Sequence, residues 1–192
     1  MLSRIAESLF WIGRYVERAD GTARILDVHL ERLNHLPMEE QRSVAQELLA
    51  VMGARAQSED FGLPELLNAL AYDKQSATSI AGSLGAAREN ARRARETVSS
   101  GLWESLNTTY YGLNQHRKDV VGTYRFCNWV LERTAMVSGL ADTTVSHDES
   151  WQFLVLGRSL ERADMTARML STRDVLSAGM SWVNMLRCAG AY

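Results

Sequence analysis

Residues 13–26 and 157–170 carry the same segment, GRYVERADGTARIL and GRSLERADMTARML, displaced by 144 positions. Ten of the fourteen positions are identical: Gly13/Gly157, Arg14/Arg158, Glu17/Glu161, Arg18/Arg162, Ala19/Ala163, Asp20/Asp164, Thr22/Thr166, Ala23/Ala167, Arg24/Arg168 and Leu26/Leu170. The apolar positions drift (Ile12/Leu156, Val16/Leu160, Ile25/Met169), yet every charge is kept. A helix that only fills space holds its hydrophobicity and lets surface charges wander. Here the polar residues are the fixed part, so both copies must lie where those charges do the same job. Such an internal repeat predicts a duplicated architecture.

The period is helical throughout. Only two prolines occur, Pro37 and Pro64, and no alternating Val/Ile/Thr run or Asn-Gly hairpin signal is present. The first helix is expected over about 3–35, with Leu2, Ile5, Leu9, Ile12, Val16, Ala19, Ala23, Leu26, Leu30 and Leu33 on alternating steps of three and four. Phe10, Trp11, Ile25 and Val28 lie off that seam, so this helix should pack on two sides and be central. Further helices are expected over about 39–55, after Pro64, from Ser79 through Val98, from Leu102 to Leu113, and from Asp119 to near Gly139. The second repeat helix is expected over about 147–172. Ser146 and Glu149 form a capping-box pattern, and Phe153, Leu156, Leu160, Ala163, Ala167 and Leu170 form its seam. A shorter segment from Val175 to Leu186 closes the sequence. The expected fold is a single all-α domain spanning 1–192, a multi-helix bundle of six to eight helices with an internal pseudo-duplication.

Composition narrows the function classes. A net charge of −2 gives no general attraction to nucleic acid or to anionic lipid. No apolar run reaches the roughly 18 residues that a membrane span needs. The N-terminal segment lacks the features of a signal peptide, and two distant cysteines build no disulfide scaffold, so a reduced, cytoplasmic setting is expected. Only two of the 21 basic residues are lysines. Arginine suits bidentate pairing with carboxylates and phosphates, although a GC-rich genome gives the same bias.

On a helical wheel Gly13, Glu17, Asp20 and Arg24 share a strip about 60° wide, with Arg14 and Arg18 further round beside apolar groups. Gly157, Glu161, Asp164 and Arg168 repeat it, with Arg158 and Arg162 alongside. A middle helix adds a looser echo in Arg88 and Arg92. Charges flanked by apolar groups need partners, because an unpaired buried charge costs several kcal/mol. Three readings follow. The pairs can brace two pseudo-symmetric helices. The arginines can hold an anionic or peptide-like ligand, or a partner protein, with Glu17 and Glu161 orienting them. Four carboxylates, Glu17, Asp20, Glu161 and Asp164, can serve as a metal site or as acid–base groups. No Glu-x-x-His spacing of di-iron bundles accompanies them, and adjacent arginines would neutralise them. No Gly-rich phosphate loop, zinc spacing or nucleophile elbow occurs, so no cofactor, metal or catalytic residue is assigned from the sequence.

The N-terminal MLSRIAESLFWIGRYVERADGTARILDV, the central SLGAARENARRARE with LWESLN, and GLADTTVSHDESWQFLVLGRSLERADMTARML together resemble the alpha-E domain family. That family is named for its helices and its Glu-Arg motif, here Glu17-Arg18 and Glu161-Arg162. The resemblance implies an all-α domain that acts as a non-catalytic accessory or binding module. The implied setting is a peptide synthesis or modification system with ATP-grasp-type (carboxylate–amine ligase-like) and transglutaminase-like partners. Homo-oligomerisation is a further expectation. The resemblance also implies that relatives continue past the second Glu-Arg helix, so that this sequence would be short at its C-terminal end.

Overall fold

The computed structural model describes residues 3–54, 61–116, 119–175 and 181–191. Eight α-helices lie among them: α1 (Ser3–Leu33), α2 (Met38–Met52), α3 (Leu63–Leu67), α4 (Ile80–Arg93), α5 (Ser100–Gly112), α6 (Val120–Thr144), α7 (Glu149–Val175) and α8 (Trp182–Ala189). A π-helical turn, Asn68–Tyr72, prolongs α3, and a 3₁₀ turn, Leu113–Gln115, prolongs α5. The all-α class and the helix count follow the sequence reading.

Local signals set most boundaries. Side chains of Ser79, Ser99 and Asp119 accept from the backbone N–H three residues on, capping α4, α5 and α6. Gly53 and Gly190 end α2 and α8 with φ of 71° and 67°, the left-handed conformation that costs glycine nothing. Several boundaries differ from expectation: α4 ends at Arg93, five residues before Val98, and α8 runs past Leu186 to Ala189. Helix α6 runs past Gly139 to Thr144; a lone glycine lowers helix propensity by about 1 kcal/mol, which the neighbours Val137 and Ala141, buried on the core, outweigh. Helix α7 starts at Glu149, three residues after the expected Ser146, and Asp148 Oδ1 accepts from Ser150 N–H (2.8 Å) at this terminus. The expected seam residue Leu2, the end of α2 at Arg55, and 176–180 of the closing segment lie outside the described residues.

Helix α1 is central, as its two apolar faces require: it packs against α4, α6, α7 and α8. Its seam, Leu9 to Leu33, is buried throughout. Helix α4 covers that seam antiparallel. Leu9, Ile12 and Val16 share a cluster with Ala87, Ala91 and Ala94, while Ala19 and Ala23 share one with Ile80 and Leu84. Each large half meets a small half, so the two helices interdigitate.

Helix α7 departs from the expectation. The seam read from its spacing faces outward: Phe153, Leu156, Leu160 and Leu170 are between 37% and 54% exposed, and Ala163 and Ala167 are exposed beside them. The buried face is Leu154, Gly157, Glu161, Met165 and Met169. Spacing identifies an apolar stripe but not which stripe meets the neighbouring helix. Here a glycine and a glutamate win because they fit features of α1.

Candidate functional site

Helices α1 and α7 pack side by side and parallel, with Gly13 against Leu154 and Arg158 and Gly157 against Phe10 and Arg14. Glycine makes the approach possible. A Cβ at Gly13 would fall 2.1 Å from the carbonyl oxygen of Leu154, and one at Gly157 would fall 2.0 Å from that of Phe10. Leu154 and Phe10 are themselves repeat equivalents, so the contact is a pseudo-twofold one. No other residue allows backbone to touch backbone in this way.

The close crossing brings the charges of each copy onto the other. Glu161 is fully buried. Its Oε1 accepts from Arg18 Nε (2.6 Å), its Oε2 from Arg18 Nη2 (3.0 Å), and Arg14 Nε also donates to Oε2. Arg18 Nη1 reaches the Ala77 carbonyl (3.1 Å). The guanidinium groups lie over rings on their own helix: Arg14 over Phe10 and Trp11, Arg18 over Tyr15. The mirror arrangement joins Glu17 Oε1 to Arg162 Nε (2.6 Å) and Oε2 to Arg162 Nη2 (3.0 Å). Each Glu-Arg dipeptide is thus half of two reciprocal, bidentate forks. The partner of each glutamate sits about 144 residues away, not on its own turn.

The two forks are not identical. Arg158, equivalent to Arg14, turns from Glu17 to Asp142 on α6 (3.1 and 3.2 Å). Glu17 therefore has one arginine where Glu161 has two. The Arg162 side chain is 65% exposed, whereas those of Arg14 and Arg18 are mostly buried. The hydrogen bond to Glu17 raises the Arg162 pKa, with burial opposing it.

One turn further, Asp20 accepts from Arg24 and Asp164 from Arg168, both at 2.8 Å. Thr134 of α6 donates to the other oxygen of Asp20 (2.7 Å). Both arginines reach across the molecule to a short helix of the opposite half. Arg168 Nη1 donates to the Val51 carbonyl at the end of α2 (2.8 Å), and a Cβ at Gly53 would fall 3.1 Å from it. A Cβ at Gly190, the end of α8, would fall 3.0 Å from Arg24 Cζ. A cation at a helix C-terminus is favoured by the helix dipole, so each repeat steadies the short helix that follows the other. Beside the Glu17 fork lies a cleft of about 120 Å³ lined by Asp20, Arg24, Arg162, Thr166, Cys188 and Gly190, among others.

Arg88 and Arg92 stand apart from this arrangement. Arg88 lies over Trp103, Tyr110 and Tyr111 and donates to Asn107 Oδ1 (2.7 Å). Arg92 pairs with Glu89 on the surface, where the arginine holds the Glu89 carboxyl at a pKa of about 2. Among the described residues no three His, Cys, Asp or Glu side chains converge as metal ligands do. His29 is buried. Asp142, Thr134 and the Val51 carbonyl complete the arrangement, and no repeat marks them in the sequence.

A family model described as "a predicted alpha-helical domain with a conserved ER motif" matches residues 1–192. The chain belongs to the Alpha-E family. For this Alpha-E domain, the reciprocal forks give the Glu-Arg pairs a physical role: each glutamate is bound by the arginine of the other pair. Uncharacterized proteins of Mycobacterium bovis and of Mycobacterium tuberculosis strain CDC 1551 are each 25% identical over 184 residues, covering 83% of this protein and 21% of the relative. A third, from Mycobacterium tuberculosis strain H37Rv, is 24% identical over the same length. The chain therefore spans about a fifth of the length of the curated relatives it matches. No solved structure matches it. No helix among the described residues is long and apolar enough to cross a membrane.

Proposed function

We propose that this Alpha-E domain is a non-catalytic, cytoplasmic helical module that works beside ATP-grasp-type and transglutaminase-like partners in peptide synthesis or modification. The observation that carries the reading is that the matching region of the mycobacterial proteins is a fifth of a much longer polypeptide. A domain embedded that way acts alongside other domains. The forks support a structural role for the motif over an acid–base one, because each motif glutamate is held by arginine. The test is co-purification of the tagged domain with an ATP-grasp-type protein encoded beside it. A stable complex is expected; absence of any complex with either partner class counts against the reading.

A second reading rests on one observation: Arg162 is held by Glu17 yet open to solvent beside a cleft that also exposes Arg24. That pair could take a carboxylate of a peptide-like ligand. Calorimetric titration with acidic peptides would show heat that Arg162→Ala removes; no heat with the parent domain ends this reading.

A further inference from the structure

The outward stripe of α7 has a counterpart that shows what fits it. Phe153, Leu156, Leu160, Ala163, Ala167 and Leu170 are the repeat equivalents of Leu9, Ile12, Val16, Ala19, Ala23 and Leu26. On α1 those six are buried, and α4 covers them antiparallel, large half against small half. On α7 the same stripe, with the same taper, is exposed. A row of apolar side chains this long on a helix surface marks an interaction site. The taper itself identifies the occupant. The N-terminal half of the stripe is bulky (Phe153, Leu156, Leu160), and the C-terminal half has two alanines, Ala163 and Ala167, before Leu170. A second α7 laid antiparallel therefore supplies what α4 supplies to α1.

We propose that two copies of this protein associate through α7, antiparallel, each α7 covering the other as α4 covers α1. The register is fixed by the spacing. Phe153 meets the partner's Leu170, Leu156 meets the partner's Ala167, and Leu160 meets the partner's Ala163, on alternating steps of three and four suited to knobs-into-holes packing. The contact is isologous, the same patch on both copies. Gln152, Ser159 and Thr166, exposed along the outer edge of the stripe, are uncharged, and the like charges of this register are confined to its ends, where Glu149 comes level with the partner's Asp174. The bulky half also forms one wall of a groove of about 710 Å³ whose other wall includes Ala6 and Phe10 of α1. The register places the partner's Leu170 at this groove, which extends the contact beyond a single helix pair.

The experiment is sedimentation equilibrium of the 192-residue chain. The expected mass at micromolar concentration is twice the 21.5 kDa of one copy. Leu160→Glu, at an exposed position near the centre, is expected to weaken association about 100-fold while leaving the circular-dichroism spectrum and melting temperature of the monomer unchanged. Orientation is read by cysteine cross-linking: a Leu160→Cys variant mixed with an Ala163→Cys variant forms the intermolecular disulfide, and neither does so efficiently alone. A protein that stays monomeric up to about 200 µM, far above the Kd of a standard-size interface, overturns the proposal. So does a dimer that Leu160→Glu leaves intact. An Ala163→Cys variant that cross-links only to itself overturns the antiparallel register.

Discussion

The Glu161 and Glu17 forks have the same bond lengths and different surroundings. Around Glu161 two mostly buried arginines close over a carboxylate that water does not reach. Around Glu17 a single arginine reaches in from solvent, because Asp142 has drawn Arg158 away. Duplicated sequence thus yields one sealed fork and one open one. The decisive element is a helix outside the repeat. Geometry alone therefore does not set the strength of an ion pair: water competes at Glu17 and not at Glu161.

The largest expected difference comes from removing the two glutamates. Glu161→Ala strands Arg14 and Arg18 against apolar neighbours and should cost about 3 kcal/mol, near the lower end for a broken buried pair. Glu17→Ala should cost about 1 kcal/mol, since water can solvate Arg162 in its place. Urea unfolding of both variants reads the contrast directly, and equal losses would break it. Gly13→Ala and Gly157→Ala test the shared element. Alanine favours a helix, yet each Cβ meets a backbone oxygen, so both should destabilise by about 2 kcal/mol, within the usual range for overpacking. Their losses should match, because the crossing is symmetric where the forks are not.

Cys188 probes how closed the open side is. It lines the cleft beside Glu17 yet is buried, which pushes its thiol pKa up to about 12. A thiol raised in the folded state ionises first in the unfolded state. Its contribution to stability is therefore complete below about pH 8.5, the ordinary thiol value, and is lost as pH rises through about 12. The expected slope is at most about 1.4 kcal/mol per pH unit for one thiol. Native protein at pH 8 should label slowly with a thiol reagent; fast labelling would show that the Glu17 side opens. The smallest effect is expected at the repeat threonines. Thr22 is fully buried and its hydroxyl has no hydrogen-bond partner among the described residues, whereas Thr166 donates to the Arg162 carbonyl. Thr22→Val should be neutral or stabilise by up to about 1 kcal/mol, and Thr166→Val should change stability by less than about 0.5 kcal/mol; a clear loss at Thr22 would reveal a partner for that hydroxyl.

Much of this was legible in the residues. Helical spacing and scarce proline set the all-α class, and the caps at Ser79, Ser99 and Asp119 were local signals. Constancy of charge in the repeat pointed to partners for Glu17 and Glu161. The exchange between copies was not legible, since Arg18 is also beside Glu17 in sequence and nothing local favours Glu161. Nor was the orientation of α7, because its apolar stripe and its Gly-Glu-Met face both repeat at helical spacing. Arg88 followed the same pattern as the motif arginines, but the rings of α5 claim it. Asp142 lies on a helix with no repeat, so its pull on Arg158 left no trace in the spacing.

The parallel pairing of α1 and α7 has a bearing on how the molecule is made. At about 5–20 residues per second, roughly 7–29 s pass between synthesis of Gly13 and of Gly157. During that interval α4 can already cover one side of the first helix, but Arg14, Glu17 and Arg18 await their mates in water. The nascent domain is thus held open along one edge until α7 leaves the ribosome.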